Sequence, residues 1–304
     1  MSDAAPIDTV ILNEVGPRDG LQNQHKSLSP AQRRRFVEAL LGAGLTHIEI
    51  GSFVSPRAVP QMAGAEALAR ALRAPVGAEL SALAPNIQGY ERARAAGVDT
   101  VAVVVSATET MNRKNINRGL AQTLATARAV IARGRAEGAR VQAYLAVAFE
   151  CPFEGPVAPS VVEGLAHELL DAGADLLVIA DTIGAADPGQ VKRLMSRLLA
   201  RCAPARLACH FHDTRALGLA NIYAALECGV RRFDASAGGL GGCPFAPGAR
   251  GNVATEDVVM LCERLGYATG VAMPALLAAV RLIGELLGRP QGGRAYEWLR
   301  TQAA

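Results

Sequence analysis

Eight short runs rich in Val, Ile and Leu recur along the chain, near residues 9–15, 46–51, 76–83, 100–105, 141–148, 176–180, 206–211 and 232–236. Each is followed by a longer segment with helical periodicity. The runs are continuously apolar rather than alternating, as in strands buried on both faces of a parallel sheet. Eight strand–helix units in series predict an α/β fold, a (β/α)8 TIM barrel. The punctuation agrees. Gly44, Gly97, Gly138, Gly173 and Gly229 each mark a helix end before a run, where glycine adopts the left-handed backbone at little cost. Ser29-Pro30-Ala31-Gln32 and Asp187-Pro188-Gly189-Gln190 each supply an N-cap, a first-turn proline and a glutamine at N3. After the second cap, Val191, Leu194, Met195 and Leu198 form one apolar stripe.

Barrels of this kind run to ~250 residues as one domain. The 304 residues, 50% of them hydrophobic, are accordingly read as a single domain spanning 1–304. A glycine-rich loop at about 238–252 follows the last strand, then a helix from Val258 to Leu265. A further apolar helix at about 271–288 either caps or flanks the barrel or forms a homodimer surface. Aromatics make up only 4% of the chain, which argues against a stacking surface for nucleic acid. The net charge of +3 is dispersed, and its one short run, Arg33 to Arg35, is read as the solvated face of a helix. None of the six cysteines has C-x-x-C spacing, so neither a zinc knuckle nor a redox motif is expected. The first ten residues lack the basic and apolar regions of a secretion signal, and no apolar run reaches the ~18 residues that span a bilayer. A soluble protein of a reducing cytoplasm is expected, with no nucleic-acid or membrane partner.

Working residues of such barrels sit at the C-terminal ends of the strands. The first strand ends in Glu14-Val15-Gly16-Pro17-Arg18-Asp19-Gly20-Leu21-Gln22, where a charged pair is held in a Gly/Pro turn. Glu49 interrupts the second apolar run and is expected to point into the barrel, where an unpaired carboxylate is rare. Asp181 ends the sixth strand, either as part of the site or as a helix cap. The seventh ends in His210-Phe211-His212-Asp213-Thr214. Residues i and i+2 of a strand share a face, so His210 and His212 project together as two metal ligands would. Asp213 points away, to cap the next helix or support a ligand.

The 238–252 loop holds six glycines in 15 residues, which suits a mobile lid, and it lacks the Gly-Lys-Ser/Thr of a phosphate loop. Cys243 lies within it, in surroundings unlike those of the other cysteines. His210, His212, Asp19 and the Asn252 amide make an N/O set without thiolate. Completed by water or substrate oxygens, it suits octahedral Mg²⁺ or Mn²⁺.

These residues fall in segments that resemble hydroxymethylglutaryl-CoA lyase: EVGPRDGLQN at 14–23, GSFVSPRAVPQM at 51–62, RKNIN at 113–117, CPFEG at 151–155, DTIG at 181–184, HFHDT at 210–214 and GGLGGCPFAPGARGN at 238–252. The Arg-Asp-Gly-Leu-Gln and His-x-His-Asp-Thr motifs mark a wider group of metal-dependent acyl-CoA and pyruvate barrels; the Gly-Gly-Cys-Pro loop is more specific to the lyase. The resemblance implies retro-Claisen cleavage of 3-hydroxy-3-methylglutaryl-CoA to acetyl-CoA and acetoacetate, a step of leucine degradation. It implies Asp19, His210, His212 and Asn252 as cation ligands, and Arg18 at the enolate oxygen. Cys243 would transfer a proton to the enolate carbon, and Glu49 and Asp181 would complete the site. The alcohol proton would go to a histidine, such as His210, or to a water on the metal. Arg18, Gln22, Lys114 and Asn115 are candidate contacts for the acyl-CoA substrate, although a surface cap remains open for Lys114. Two positions depart from the vertebrate-type pattern, Arg215 and Arg250, and bear on the acyl group accepted.

Lyases for another 3-hydroxy-3-substituted glutaryl-CoA are the near alternative. Claisen synthases of the isopropylmalate or homocitrate type share the Arg-Asp-Gly and His-x-His motifs, but they usually carry long C-terminal extensions and would not require Cys243. A biotin-linked carboxyltransferase needs a strand-end lysine, and Lys26, Lys114 and Lys192 do not stand at such positions. A decayed, non-catalytic barrel would be expected to have lost some of these residues.

Overall fold

The computed structural model describes residues 8–242 and 251–302. The sheet is a closed parallel barrel, in the order β1–β8–β7–β6–β5–β4–β3–β2. Its strands are β1 Ile11–Glu14, β2 His47–Ser52, β3 Glu79–Leu83, β4 Thr100–Ser106, β5 Arg140–Ala146, β6 Leu176–Asp181, β7 Leu207–Phe211 and β8 Arg232–Ala235. Every apolar run becomes a strand. The third starts late, because Val76–Ala78 is a turn closed by Ala78 N–H on the Pro75 carbonyl, and Val76 is fully exposed. The five expected helix-ending glycines all have positive φ, from 68° at Gly138 to 104° at Gly173. Both N-caps form as read: Ser29 and Asp187 accept from the backbone of Gln32 and Gln190, whose side chains reach back.

Two apolar layers result. Ala102, Tyr144, Val178 and Ala208 meet inside the barrel, and the much larger layer lies between the strands and the surrounding helices. The helix α1, Pro30–Gly42, corrects one expectation. Arg33 is fully buried rather than solvated, because it shares the inward stripe of Phe36, Val37 and Leu40. Its guanidinium donates to the carbonyls of Ile50 (3.0 Å), at the irregularity within β2, and Ala63 (3.2 Å), after the helical turn Pro60–Met62. Arg34 and Arg35 are exposed, as expected.

The chain after β8 passes through a helix at Thr255–Arg264 and runs beneath the start of β1, where Val10 N–H donates to Ala268 O. The apolar helix is Met273–Leu287. It flanks the barrel beside α1, with Leu276, Val280 and Ile283 buried. Residues 289–295 then return to the C-terminal end of the strands, where Gly292 N–H donates to Gly238 O. Among the described residues, no helix is long and apolar enough to cross a membrane.

Candidate metal centre and active site

The C-terminal ends of β1, β2 and β7 converge on one buried polar cluster. Gly16–Gly20 after β1 winds as a single π-helical turn, a widened geometry frequent at functional sites. Its entry is fixed by Glu14, whose Oε1 accepts from Gly16 N–H at 2.8 Å. A Cβ on Gly16 would lie 2.5 Å from that oxygen, so only glycine fits. The turn aims Arg18 and Asp19 into the barrel mouth. Arg18 donates from Nε to Glu49 Oε2 at 2.6 Å and from Nη1 to Asp19 Oδ1 at 2.7 Å. Glu49 is fully buried, as its place in an apolar run implied. Burial raises its pKa to about 7 against the opposing pull of Arg18.

Asp19, His210 and His212 bring one ligand atom each within 4.8 Å of one another. His210 Nδ1 is held by Asp234 Oδ2 at 2.9 Å, which leaves Nε2 to face the centre. With one nitrogen committed in this way, His210 can act as ligand or as base but not as both. Burial disfavours the charged form of Asp19; Arg18, both histidines and the Asn252 amide outweigh it and hold the pKa at about 2. Burial and the neighbouring His210 push His212 down to about 3, so its imidazole is neutral and able to coordinate.

Asn252 arrives from the far side of the glycine loop. It pairs with His212 in an antiparallel bridge and donates from Nδ2 to Asp19 Oδ2 at 2.8 Å. Its Oδ1 is buried without a hydrogen-bond partner, and so is His212 Nδ1. Orphaned buried acceptors beside a carboxylate and two imidazoles are what a cation would satisfy, so the residues fit a hard divalent ion.

The feet of the loop are tied down. Glu14 accepts from Ala237 N–H at 3.0 Å and from Thr255 Oγ1–H at 2.6 Å. Glu256 accepts from Gly238 N–H at 2.9 Å. Gly251 packs so closely on Gly242 that a Cβ would lie 2.5 Å from the latter's nitrogen. Cys243 and Arg250, and with them most of the expected lid, lie outside the described residues.

Asp181 is buried, and its two oxygens accept from Ala185 N–H (2.8 Å) and Ala186 N–H (3.1 Å). It thus shapes the turn after β6. Burial raises its pKa to about 6. Asp213 accepts from Gly218 N–H at 3.1 Å, at the start of the next helix. Gln22 lies against Asp19, 3.4 Å from Oδ1. Lys114 and Asn115 stand exposed on the helix Glu109–Ile116, away from the buried cluster. Lys114 Nζ lies 5.9 Å above the Phe153 ring, beside a hairpin of Glu150–Cys151 and Gly155–Pro156 that the sequence did not reveal. Arg215 reaches the same hairpin, at 3.2 Å from Glu150.

Sequence reasoning missed Asp234, Asn13 and Tyr144. Asp234 also accepts from Asn13 Nδ2 at 2.8 Å, and the Tyr144 hydroxyl accepts from that amide at 3.3 Å. The signal was available. Asp234 interrupts an apolar run just as Glu49 does, and it lies in register with His210 on the neighbouring strand.

Comparison with known proteins points the same way. A family model described as HMGL-like matches residues 9–283. A hydroxymethylglutaryl-CoA lyase of Pseudomonas mevalonii is 44% identical over 291 residues, 96% of this chain and 97% of that protein. An (R)-citramalyl-CoA lyase of Chloroflexus aurantiacus is 43% identical, with 93% of each chain covered. The crystal structure of hydroxymethylglutaryl-CoA lyase from Pseudomonas aeruginosa matches with a TM-score of 0.94 at 43% identity, covering 97% of this chain and 99% of that one. With the barrel, the Arg18–Glu49 pair and the His210–His212 pair beside Asp19 all in place, the chain belongs to the HMGL-like family.

Proposed function

We propose that this protein is a divalent-metal-dependent carbon–carbon lyase that cleaves 3-hydroxy-3-methylglutaryl-CoA to acetyl-CoA and acetoacetate. The observation that carries this is the meeting of Arg18, already charge-paired and buried, with a three-residue cation cluster one residue away. Cleavage must take a proton from a tertiary alcohol, break a C–C bond and hold an enolate. Asp19, His210, His212 and Asn252 would hold Mg²⁺ or Mn²⁺, which lowers the alcohol's pKa and polarises the emerging ketone.

Arg18 supplies the fixed positive charge for the enolate oxygen. Although burial opposes it, the carboxylates of Glu49 and Asp19 keep its guanidinium charged and immobile, so little reorganisation is needed as charge develops. Asp234 fixes the ring of His210, and Asp181 fixes the turn after β6. Cys243 is assigned, on the strength of the motif it shares with the lyases, to protonate the carbon of the departing acetyl group. Gln22, Lys114 and Asn115 are assigned to the acyl-CoA side. The step belongs to leucine degradation, in a reducing cytoplasm that keeps the cysteines as thiols; those among the described residues are unpaired.

The identity to an (R)-citramalyl-CoA lyase favours a second acyl group. The deciding experiment supplies purified protein, Mg²⁺ and reductant with each CoA ester in turn. Acetoacetate release from 3-hydroxy-3-methylglutaryl-CoA is expected. Pyruvate from citramalyl-CoA at a higher kcat/KM would move the assignment to that ester. Condensation with a 2-oxo acid and no cleavage of either would overturn lyase activity altogether.

A further inference from the structure

The two ligand-bearing segments on the β7 side, Phe211–Asp213 and Gly251–Val253, are held together by more than their own ladder. That ladder consists of Asp213 N–H on Gly251 O (2.8 Å) and Val253 N–H on Phe211 O (3.2 Å), with His212 opposite Asn252 between them. The returning C-terminal strap closes a second connection around this pair. Arg294 donates from Nε to Asp213 Oδ2 at 2.5 Å and from Nη2 to the Asp213 carbonyl at 3.4 Å. Its own N–H donates to Asp257 Oδ2 at 2.7 Å, and Ala295 N–H donates to Asp257 Oδ1 at 2.9 Å. Gly293 N–H donates to Glu256 Oε1 at 2.7 Å.

Glu256 and Asp257 open the helix Thr255–Arg264, which begins three residues after Asn252. A closed circuit therefore runs from His212 to Asp213, across to Arg294, through Asp257 to Thr255 and back to Asn252. A strap that served only to cover the barrel would need no charged contact with the residue next to a ligand. Here one side chain grips Asp213 while the same residue's backbone is held on the helix that follows the other ligand.

We propose that Arg294 is a positioning residue for the cation site: it fixes the separation and orientation of His212 and Asn252 without touching the ion or substrate. This rests on the assignment of Asp19, His210, His212 and Asn252 as ligands. Loss of a partner one step removed from a ligand costs ~10–100-fold in metal affinity. Arg294 acts through a chain neighbour of the ligand, so the lower end applies.

The test is Mn²⁺ titration of the full-length protein, with free Mn²⁺ followed by electron paramagnetic resonance. Arg294→Ala is expected to weaken Mn²⁺ binding by about tenfold, while Arg294→Lys, which restores a cation opposite Asp213, recovers most of it. Arg300→Ala breaks an exposed pair with Glu297 and serves as the control, with unchanged affinity. Thermal melts show whether each variant is folded. If Arg294→Ala unfolds, Arg294→Met, which keeps the aliphatic stem and removes the donors to Asp213, carries the comparison: weaker Mn²⁺ binding than wild type is expected, and wild-type affinity overturns the proposal. Affinity in Arg294→Ala equal to wild type, or a lysine variant as weak as the alanine one, overturns the proposal. A wild-type protein that binds no Mn²⁺ overturns the ligand assignment itself, and the positioning role with it.

Discussion

Replacing Asp234 with asparagine tests how the metal centre is organised, because the change keeps the shape and removes one acceptor. Asp234 is 3% exposed, and its two oxygens serve two buried donors, Asn13 Nδ2 at 2.8 Å and His210 Nδ1 at 2.9 Å. The introduced amide has one carbonyl oxygen, so one of those donors must face an N–H. An unsatisfied buried donor costs ~1–3 kcal/mol. For a chain of 304 residues the unfolding entropy is ~0.6 kcal/mol/K, so the melting temperature should fall by ~2–5 °C. The effect on the cation is more specific. To accept from the amide, His210 must carry its proton on Nε2, the nitrogen that would otherwise coordinate. A loss of ~10–100-fold in Mn²⁺ affinity follows, equivalent to ~1.4–2.7 kcal/mol. Mn²⁺ titration monitored by electron paramagnetic resonance, with scanning calorimetry on the same samples, reads both quantities. A folded Asp234→Asn protein that binds Mn²⁺ like wild type would refute the claim that this carboxylate selects the nitrogen His210 presents.

Arg18→Gln should lower kcat by ~10²–10³ while KM changes far less, measured as acetoacetate release; a raised KM with kcat unchanged would show that the guanidinium serves binding and not the enolate. Cys243→Ala should abolish turnover and keep Mn²⁺ affinity, and a loss of affinity by titration would contradict the division of roles. Burial holds Glu256 protonated up to about 7, above its ordinary 4.5, against the pull of two backbone N–H groups. Between those values the native state carries more protons than the unfolded chain, so this group's contribution to stability falls as pH rises. Melting temperatures of Glu256→Gln relative to wild type should therefore shift in the variant's favour from pH 4.5 to about 7, and a shift the other way would reject the burial argument.

The barrel is legible because most of its strands carry enough Val, Ile or Leu to be recognised alone, and five of the helices that precede a strand end on a glycine; β8, Arg-Phe-Asp-Ala, lacks the first signal and has the second in Gly229. Glu49 and the histidine pair are legible for the same local reason: a polar residue at period two in an apolar run has one face to occupy. What escaped depends on contacts distant in sequence. Arg33 sits in a basic run that looks solvated, and only the carbonyls of Ile50 and Ala63 explain why it is buried. Glu256 and Asp257 resemble ordinary first-turn acids of a helix, yet they are 0% and 3% exposed because a strap from residues 292–295 lies on them. Nothing in Gln-Gly-Gly-Arg announces that return. The π-helical turn likewise looks like any Gly-Pro turn until Glu14 is seen to fix it.

The barrel is a cylinder only because its first strand meets its last, with Ile11 beside Arg232 and Glu14 beside Ala235. That junction joins the earliest and latest parts of the barrel to leave the ribosome, and the polar groups of the site straddle it: Asn13 to Asp234, Glu14 to Ala237 and Thr255, Asp19 to Asn252. A cation bound by Asp19 and Asn252 would act as a clasp across this junction, with no affinity for a barrel still open there. Catalytic competence and completion of the cylinder would then be one event. Divalent ion should slow opening at that edge above all others, which makes hydrogen exchange of β1 and β8 the most sensitive gauge of occupancy.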